Sequence, residues 1–370
     1  MIEQDLGSKK LVDIRVVGVG GGGNNAIKCI AVDNHELIEF ISINTDHQAL
    51  QGCEHSKALQ IGTDGRGAGG RPEIGRLAAE ESESAIQNAL QGANMVFVTA
   101  GMGGGTGTGA APVIAHIAKS QGALTVGVVT KPFEFEGSKR MRYAVDGIEE
   151  LRKNVDTLVV IPNENLFAVI DPDASVTESF EVVNHVLRQA VMGIADVIIR
   201  PGLINLDFTD VCTIMRDKGI AHMGTGRASG KNKIETAMNE AINSPLLETS
   251  INGAKSILIS FSGDSTLSLP NISKSIKDIQ KILDRNVEII FGTTINDDLK
   301  DEVVITVIAT ELEKEPVRVI KAESKDEPFF QEEDAVIPNK IGLKPLTPIR
   351  ESNSDGSSNV IPDFLLKRHK

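Results

Sequence analysis

The groups best suited to chemistry in this 370-residue chain are the backbone amides of GMGGGTGTGAAP, residues 101–112, where six of the first nine positions are glycine. With no Cβ, glycine lets a ligand touch the main chain and accepts backbone angles that other residues avoid. Successive N–H groups in such a turn form a nest for an anion, and a helix that follows adds its positive N-terminal end. Each hydrogen bond to a charged group contributes roughly 1.5–3 kcal/mol, so a few of them hold a phosphate chain. Thr106 and Thr108 can add hydroxyl donors. An ordinary surface loop is the alternative, but the stretch sits in register between a predicted strand and a predicted helix.

A second glycine run, GVGGGGNNA at residues 18–26, also follows a predicted strand and opens a helix. Gly18, Gly20 and Gly23 fit G-x-G-x-x-G, and the next strand ends Asn44-Thr45-Asp46, whose acid can hold a ribose hydroxyl. An NAD-type dinucleotide domain is therefore a competing reading, although it has no need of the second, richer loop. A Walker P-loop is absent; the nearest approach, Ser229-Gly230-Lys231-Asn232, lacks the first glycine and the hydroxyl. A third run, TDGRGAGGRPEIG at residues 63–75, reads either as a surface loop with Pro72 opening a helix or as a loop beside the phosphates. Asp207 and Asp210 stand three apart at a predicted helix start, with Asn205 just before them. By position alone they read as a cap and a first-turn acid favoured by the helix dipole.

These groups need a scaffold. Apolar, β-branched runs at 14–18, 39–43, 95–100, 124–129 and 158–161 read as buried strands alternating with helices at 72–90 and 112–119, which predicts an α/β fold with a largely parallel sheet. Ser175 and Glu178 have capping-box spacing, and Val176, Phe180, Val183, Leu187, Val191 and Ile194 form one apolar face, which predicts a long central helix ended by Pro201 and Gly202. A smaller α+β part follows, with helices at 208–218, 233–242 and 272–283 and strands at 256–262, 287–291 and 303–309. Residues 316–358 mix Pro, Ser, Glu, Asp and Lys and read as a flexible linker. The expected parts are a nucleotide-binding domain at 11–174, a central helix at 175–201, a C-terminal domain at 202–312, a disordered linker at 313–358 and a terminal peptide at 359–370.

Composition narrows the class. The chain is 41% hydrophobic and 24% charged with a net charge of −13, one tyrosine and no tryptophan, which argues against a broad nucleic-acid footprint. Cys29, Cys53 and Cys212 are too few and too scattered for a disulfide framework and read as free thiols in a reducing compartment. The polar start MIEQDLGSKK reads as carrying no signal peptide, and no run of about 18 apolar residues suggests a spanning helix, so direct membrane insertion is not expected. No side-chain cluster reads as a dedicated metal cage.

Taken in order, GVGGGGNNA, INTD at 43–46, GGGTGTG at 103–109, PFEFEG at 132–137 and GLINLDFTDV at 202–211 resemble segments of the tubulin/FtsZ GTPase family, nearer its bacterial division branch than eukaryotic tubulin. The resemblance covers roughly 11–312. It implies binding of GTP and GDP, with Gly20, Gly21, Gly22, Gly23, Asn24, Asn25, Asp46 and Gly70 beside the phosphates and ribose. Gly103, Gly104, Gly105, Thr106, Gly107, Thr108 and Gly109 match the main phosphate loop. Pro132, Glu136 and Arg140 match the ribose region, and Asn163, Phe180 and Asn184 match positions around the guanine. The sequence departs from the family pattern at Asn163-Glu164-Asn165 and at Gly70-Arg71, where a small residue and Asn are more usual. The resemblance further implies that Asp207, Asp210 and Asn205 serve a neighbouring subunit's nucleotide, and that Mg2+ is held largely by phosphates and water. The implied partner is the chain itself, head to tail. Ile361, Pro362, Asp363, Phe364 and Leu365 resemble the peptide that docks on membrane-tethering division proteins such as FtsA. The implied place is the cytoplasm, at a mid-cell division ring on the inner face of the membrane.

Overall fold

The computed structural model describes residues 12–311 apart from 32–36, 201, 203, 205, 245–250, 252, 284–286 and 297–298. Asn205, the linker at 313–358 and the peptide at 359–370 lie outside the described residues. Ten strands build one sheet: β1 (Ile14–Val19), β2 (Ile38–Asn44), β3 (Lys57–Gln60), β4 (Met95–Gly101), β5 (Leu124–Lys131), β6 (Thr157–Pro162), β7 (Gly219–Ser229), β8 (Ser256–Gly263), β9 (Glu288–Ile295) and β10 (Glu302–Thr310). Their order is β3-β2-β1-β4-β5-β6-β7-β10-β8-β9. Every pairing from β3 to β7 is parallel. β10 runs antiparallel to both its neighbours, and β8 and β9 are parallel again.

The helices are α1 (Gly20–Ala31), α2 (His47–Gln51), α3 (Pro72–Glu81), α4 (Glu83–Leu90), α5 (Thr106–Ser120), α6 (Ser138–Asn154), α7 (Val176–Ile199), α8 (Phe208–Met215), α9 (Lys233–Ile242) and α10 (Leu269–Ile282). β1, β4 and β5 are buried along nearly their whole length, because the sheet is covered on both faces there. On β1, Val16 joins the core that holds residues of α1 and α7, while Val17 and Val19 join the core that holds residues of α5 and α6. A third core forms among α9, α10, β8 and β10. This is the α/β architecture expected, with the long helix capped as its spacing predicts: Ser175 Oγ accepts from Glu178 N at 3.2 Å, and Glu178 accepts from Ser175 N at 2.7 Å.

Several elements differ from the sequence reading. The helix predicted at 72–90 breaks at Ser82, whose Oγ accepts from Gly62 N at 3.0 Å. The helix predicted from 112 starts at Thr106, so half of the glycine run is helix. The helix predicted at 208–218 stops at Met215, and the one predicted at 272 begins at Leu269 with Pro270 in its first turn. Strands β3 and β7 and helices α2 and α6 went unread. β7 hid because its glycines replace apolar residues where α9 packs: a Cβ on Gly224 or Gly226 would lie 1.9 Å from the carbonyl oxygen of Ala241 or Ala237. Helix α7 is also long and apolar enough by composition to cross a membrane, against the expectation of none. Half of that stretch is buried, with Val183, Leu187, Val191 and Ile194 in the core, which is the pattern of a core helix.

Candidate nucleotide site

β1 and β4 pair in register, Val19 opposite Ala100, so the two glycine loops leave the sheet side by side at the same strand ends. They interlock through bare backbone. Gly20, at φ +70°, lies where a Cβ would be 2.8 Å from Gly107 N, and a Cβ on Gly22 would be 3.1 Å from Gly101 Cα. Gly103, at φ +97°, leaves no room for a side chain beside Arg140 Cγ, 2.7 Å from its Cβ position. Gly105 rests on the third glycine loop, with Ala68 Cβ at 2.7 Å and Arg71 N at 2.9 Å from its Cβ position, and Gly109 rests on Pro72. Gly21, Gly70 and Gly104 differ: nothing stands within 4 Å of their Cβ positions. Each of the three glycine loops thus keeps at least one glycine whose Cβ side is open. Neither α1 nor α5 has an acid in its first turn, and no side chain caps α5, so its leading N–H groups are left for a ligand.

The polar side chains around the loops are largely committed to holding them. Asn24 is buried; its Nδ2 donates to Gly18 O at 2.9 Å and its Oδ1 accepts from Asn44 at 2.7 Å, which ties β1 to β2. Thr108 Oγ1 accepts from Gly103 N at 2.8 Å, and the Thr106 hydroxyl meets that of Thr45 at 2.6 Å. These contacts shape the loop, and the Thr108 hydroxyl, which only accepts in its contact with Gly103 N, keeps a proton to donate. Asp46 caps α2, accepting from Gln48 N at 2.9 Å and Ala49 N at 3.4 Å. Asn25 is exposed beside Gly21 and Gly22.

A second cluster gathers where β5 and β6 end. After buried Pro132, Phe133 packs against Phe135, Phe167 and Phe180 at ring-centroid distances of 5.1, 5.0 and 5.9 Å. Phe133 is buried, whereas Phe135 is 71% and Phe180 41% exposed, so the cluster has an apolar floor and an open rim. Asn163 is only 4% exposed, yet its Oδ1 has no hydrogen-bond partner. A buried acceptor left unpaired costs free energy unless a ligand supplies the donor. Asn184 lies one turn after Phe180 on α7 and shares its face. Glu136 accepts from Phe133 N at 2.9 Å and pairs with Arg140 at 3.1 Å, the surface ion pair its spacing allows, while bracing this turn. Sequence reading found Phe180 but missed Phe133, Phe135 and Phe167; the signal was the PFEF and NLF segments among only 12 phenylalanines in the chain.

The two acids lie elsewhere. Asp207 caps α8, accepting from Asp210 N at 2.8 Å, and Asp210 accepts in return from Asp207 N at 3.4 Å. The preceding loop is pinned to β9, Ile204 N donating to Thr293 Oγ1 at 2.9 Å. Leu206 and Val197 both touch Gly292, so the acids sit at the C-terminal end of α7. Phe180 and Asn184 are near its N-terminal end. The two clusters are separated by roughly 25 Å along that helix, so one chain cannot bring them together.

The chemistry on offer is a main-chain cradle for a phosphate chain, an aromatic and amide pocket for a base beside it, and a pair of carboxylates at the far end of α7. The pattern described as the GTPase domain of the Tubulin/FtsZ family matches residues 13–171, and that of the FtsZ family C-terminal domain matches residues 219–313. Among solved structures, an empty FtsZ dimer from M. jannaschii is similar at 43% identity and TM-score 0.78, over 82% of this chain and 88% of that one. CetZ1 from Haloferax volcanii, a GDP-bound monomer, shares the fold at 20% identity and TM-score 0.72, over 82% of this chain and 96% of that one. CetZ2 from the same organism, a GTPγS-bound protofilament, shares it at 20% identity and TM-score 0.71, over 82% and 95%.

Proposed function

This chain belongs to the tubulin/FtsZ family of GTPases, and we propose that it is a division GTPase that polymerises head to tail and hydrolyses GTP at the joint between subunits. The observation that carries the reading is the placement of the cradle and the acids at opposite ends of α7. The dinucleotide reading of Gly18, Gly20 and Gly23 gives way to it, because the first glycine loop is locked against the second and the family is a GTPase family.

On this reading the domain at 11–174 holds GTP. The phosphates lie against Gly20 to Gly23 and Gly103 to Gly109, the guanine lies against Phe180, and Asn163 and Asn184 face its polar edge. A neighbouring subunit presents Asn205, Asp207 and Asp210 to the terminal phosphate. There the carboxylates accept hydrogen bonds from a water and aim it in line at the γ-phosphorus. The bond to the β-phosphate oxygen breaks, and GDP and inorganic phosphate separate. Phosphoryl transfer of this kind asks mainly for positioning and charge stabilisation. Mg2+ supplies charge neutralisation on the phosphates when bound. Among the described residues no three His, Cys, Asp or Glu converge, which fits an ion held largely by phosphate oxygens and water.

The interface is heterologous, so it propagates into filaments. The self-assembling relatives named above support that step. The C-terminal domain at 202–312 then activates the neighbour's GTP. The linker at 313–358 tethers the peptide at 359–370 to a membrane-anchored division protein such as FtsA, at a ring on the inner face of the membrane.

Asp210→Ala tests the mechanism. The variant is expected to bind GTP and to form filaments while turnover falls by orders of magnitude, and in mixtures it should poison wild-type subunits beyond simple dilution. Normal phosphate release by Asp210→Ala refutes the role given to the acids.

A further inference from the structure

Thr293 fastens the loop before the acids to the edge of the sheet. β9 is the last strand of the sheet, parallel to β8, with Thr293 opposite Phe261. Ile204 joins Thr293 in an isolated antiparallel bridge. A hydrogen-bonded antiparallel pair ordinarily exchanges two main-chain bonds. Here one is of that kind, Thr293 N donating to Ile204 O at 3.1 Å. The other runs from Ile204 N to the Thr293 hydroxyl at 2.9 Å. Almost any residue at 293 could supply the first bond, but the second needs a short side chain that accepts. Thr293 is buried. Beside it, Leu206 Cγ and Val197 Cγ1 each lie 3.3 Å from the Cβ position of Gly292. Ile204 and buried Leu206 are thus held by adjacent residues of one strand, and Asp207 follows Leu206 directly.

Asp207 and Asp210 each accept from the other's amide, so what aims them is α8 and the loop before it. The far end of α8 is fixed separately, the hydroxyls of Thr157 and Thr310 donating to Met215 O and Ile214 O. The near end, where the acids are, is held through Thr293. Resting on the reading that these acids act on a neighbour's GTP, we propose that Thr293 is a positioning residue for hydrolysis, its hydroxyl setting the angle at which the acid loop meets the next subunit's γ-phosphate. It acts through the loop and touches no reacting atom. Alignment is most of what phosphoryl transfer asks of a protein, and a displacement of about 1 Å can cost as much as 10²-fold. The effect therefore falls on turnover and leaves GTP affinity alone.

The test compares the full-length wild type with Thr293→Val, which keeps the shape and removes the hydroxyl, and Thr293→Ser, which keeps the hydroxyl. Three quantities are read: phosphate release per polymerised subunit, from its slope against protein concentration; GTPγS affinity of the unassembled chain; and melting temperature. Thr293→Val is expected to lower the slope about five- to tenfold, the scale of one hydrogen bond, with GTPγS affinity within about twofold of wild type. Thr293→Ser is expected to recover most of the loss. A wild-type slope in Thr293→Val overturns the proposal, and so does a Thr293→Ser variant as slow as Thr293→Val. If Thr293→Val loses GTPγS affinity and melting temperature together, the residue is structural and the proposal fails. A double variant guards against a mere folding defect: with Asp210→Ala present, adding Thr293→Val should lower the residual turnover no further, whereas a full additional loss refutes the link to the acids. Asp210→Ala alone separates the two readings. If it turns over normally, the role of the acids falls and takes this proposal with it; if it collapses while Thr293→Val does not, only the positioning role falls.

Discussion

Asp264 shows how single side chains are tuned away from the nucleotide site. It accepts from the Thr266 hydroxyl at 2.5 Å and from Asp301 N at 3.1 Å, and it lies beside Lys233 Nζ at 3.4 Å. The Thr266 hydrogen bond first, then the Asp301 amide, holds its carboxyl at about 2, below the ordinary 3.8. A depressed folded-state pKa means its stabilising contribution is complete above the ordinary value and is lost as pH falls from about 4 towards 2. Asp264→Asn is therefore expected to lower the melting temperature at neutral pH, because buried Lys233 loses a partner, and to flatten the fall in melting temperature between pH 4 and 2. A circular-dichroism melt at each pH checks both. Residues of this kind are hard to read in sequence: the contact with Thr266 is local, but nothing in the pattern at 264 announces the partners at 233 and 301, which only the fold brings together. Asp207 and Asp210 were legible, because a capping box is local, but the same spacing serves a cap and a chemical role equally well.

At the scale of elements, the glycine loops separate into two kinds that the sequence shows as one run. Gly109 lets α5 lie against α3: a Cβ there would be 1.9 Å from Pro72 O and 2.6 Å from Arg76 N. Gly104 faces open space. Gly109→Ala is expected to destabilise the fold by about 1–3 kcal/mol or more through overpacking. Gly104→Ala should leave the melting temperature within a degree or two of wild type, on the order of a neutral surface change, yet weaken GTP binding by crowding the phosphates. Paired melting and binding measurements distinguish the two, and equal behaviour of both variants contradicts the assignment. The parallel strands and α7 were readable because full burial writes continuous apolar runs and a 3.6-residue stripe. β7 was not, because close packing against α9 calls for glycine at Gly224 and Gly226, where an apolar residue would have marked the strand. The start of α5 was misread for a related reason, since Gly107 and Gly109 sit inside a helix that glycine does not favour.

At the scale of the molecule, the sheet runs unbroken through β6, β7 and β10, so the part that would hold nucleotide and the part that carries the acids share a continuous hydrogen-bonded ladder. The proposed docking peptide follows β10 in sequence by nearly fifty residues, so its task can be tested separately. Removing residues 359–370 is expected to leave GTP turnover and sedimentable filaments intact while abolishing recruitment to vesicles that carry a membrane-tethering division protein. Retained recruitment sinks the assignment of Ile361, Pro362, Asp363, Phe364 and Leu365 as a docking peptide.

Placing the cradle at one end of α7 and the carboxylates at the other also has an arithmetic consequence. On the head-to-tail reading proposed above, a row of subunits contains one fewer finished reaction centre than it has members, whatever its length. One terminus always keeps a loaded triphosphate that nothing cuts, and the opposite terminus always shows idle acids. The two tips of a filament are then chemically unlike from the first pair onward, and fragmentation shuts down one centre for every break.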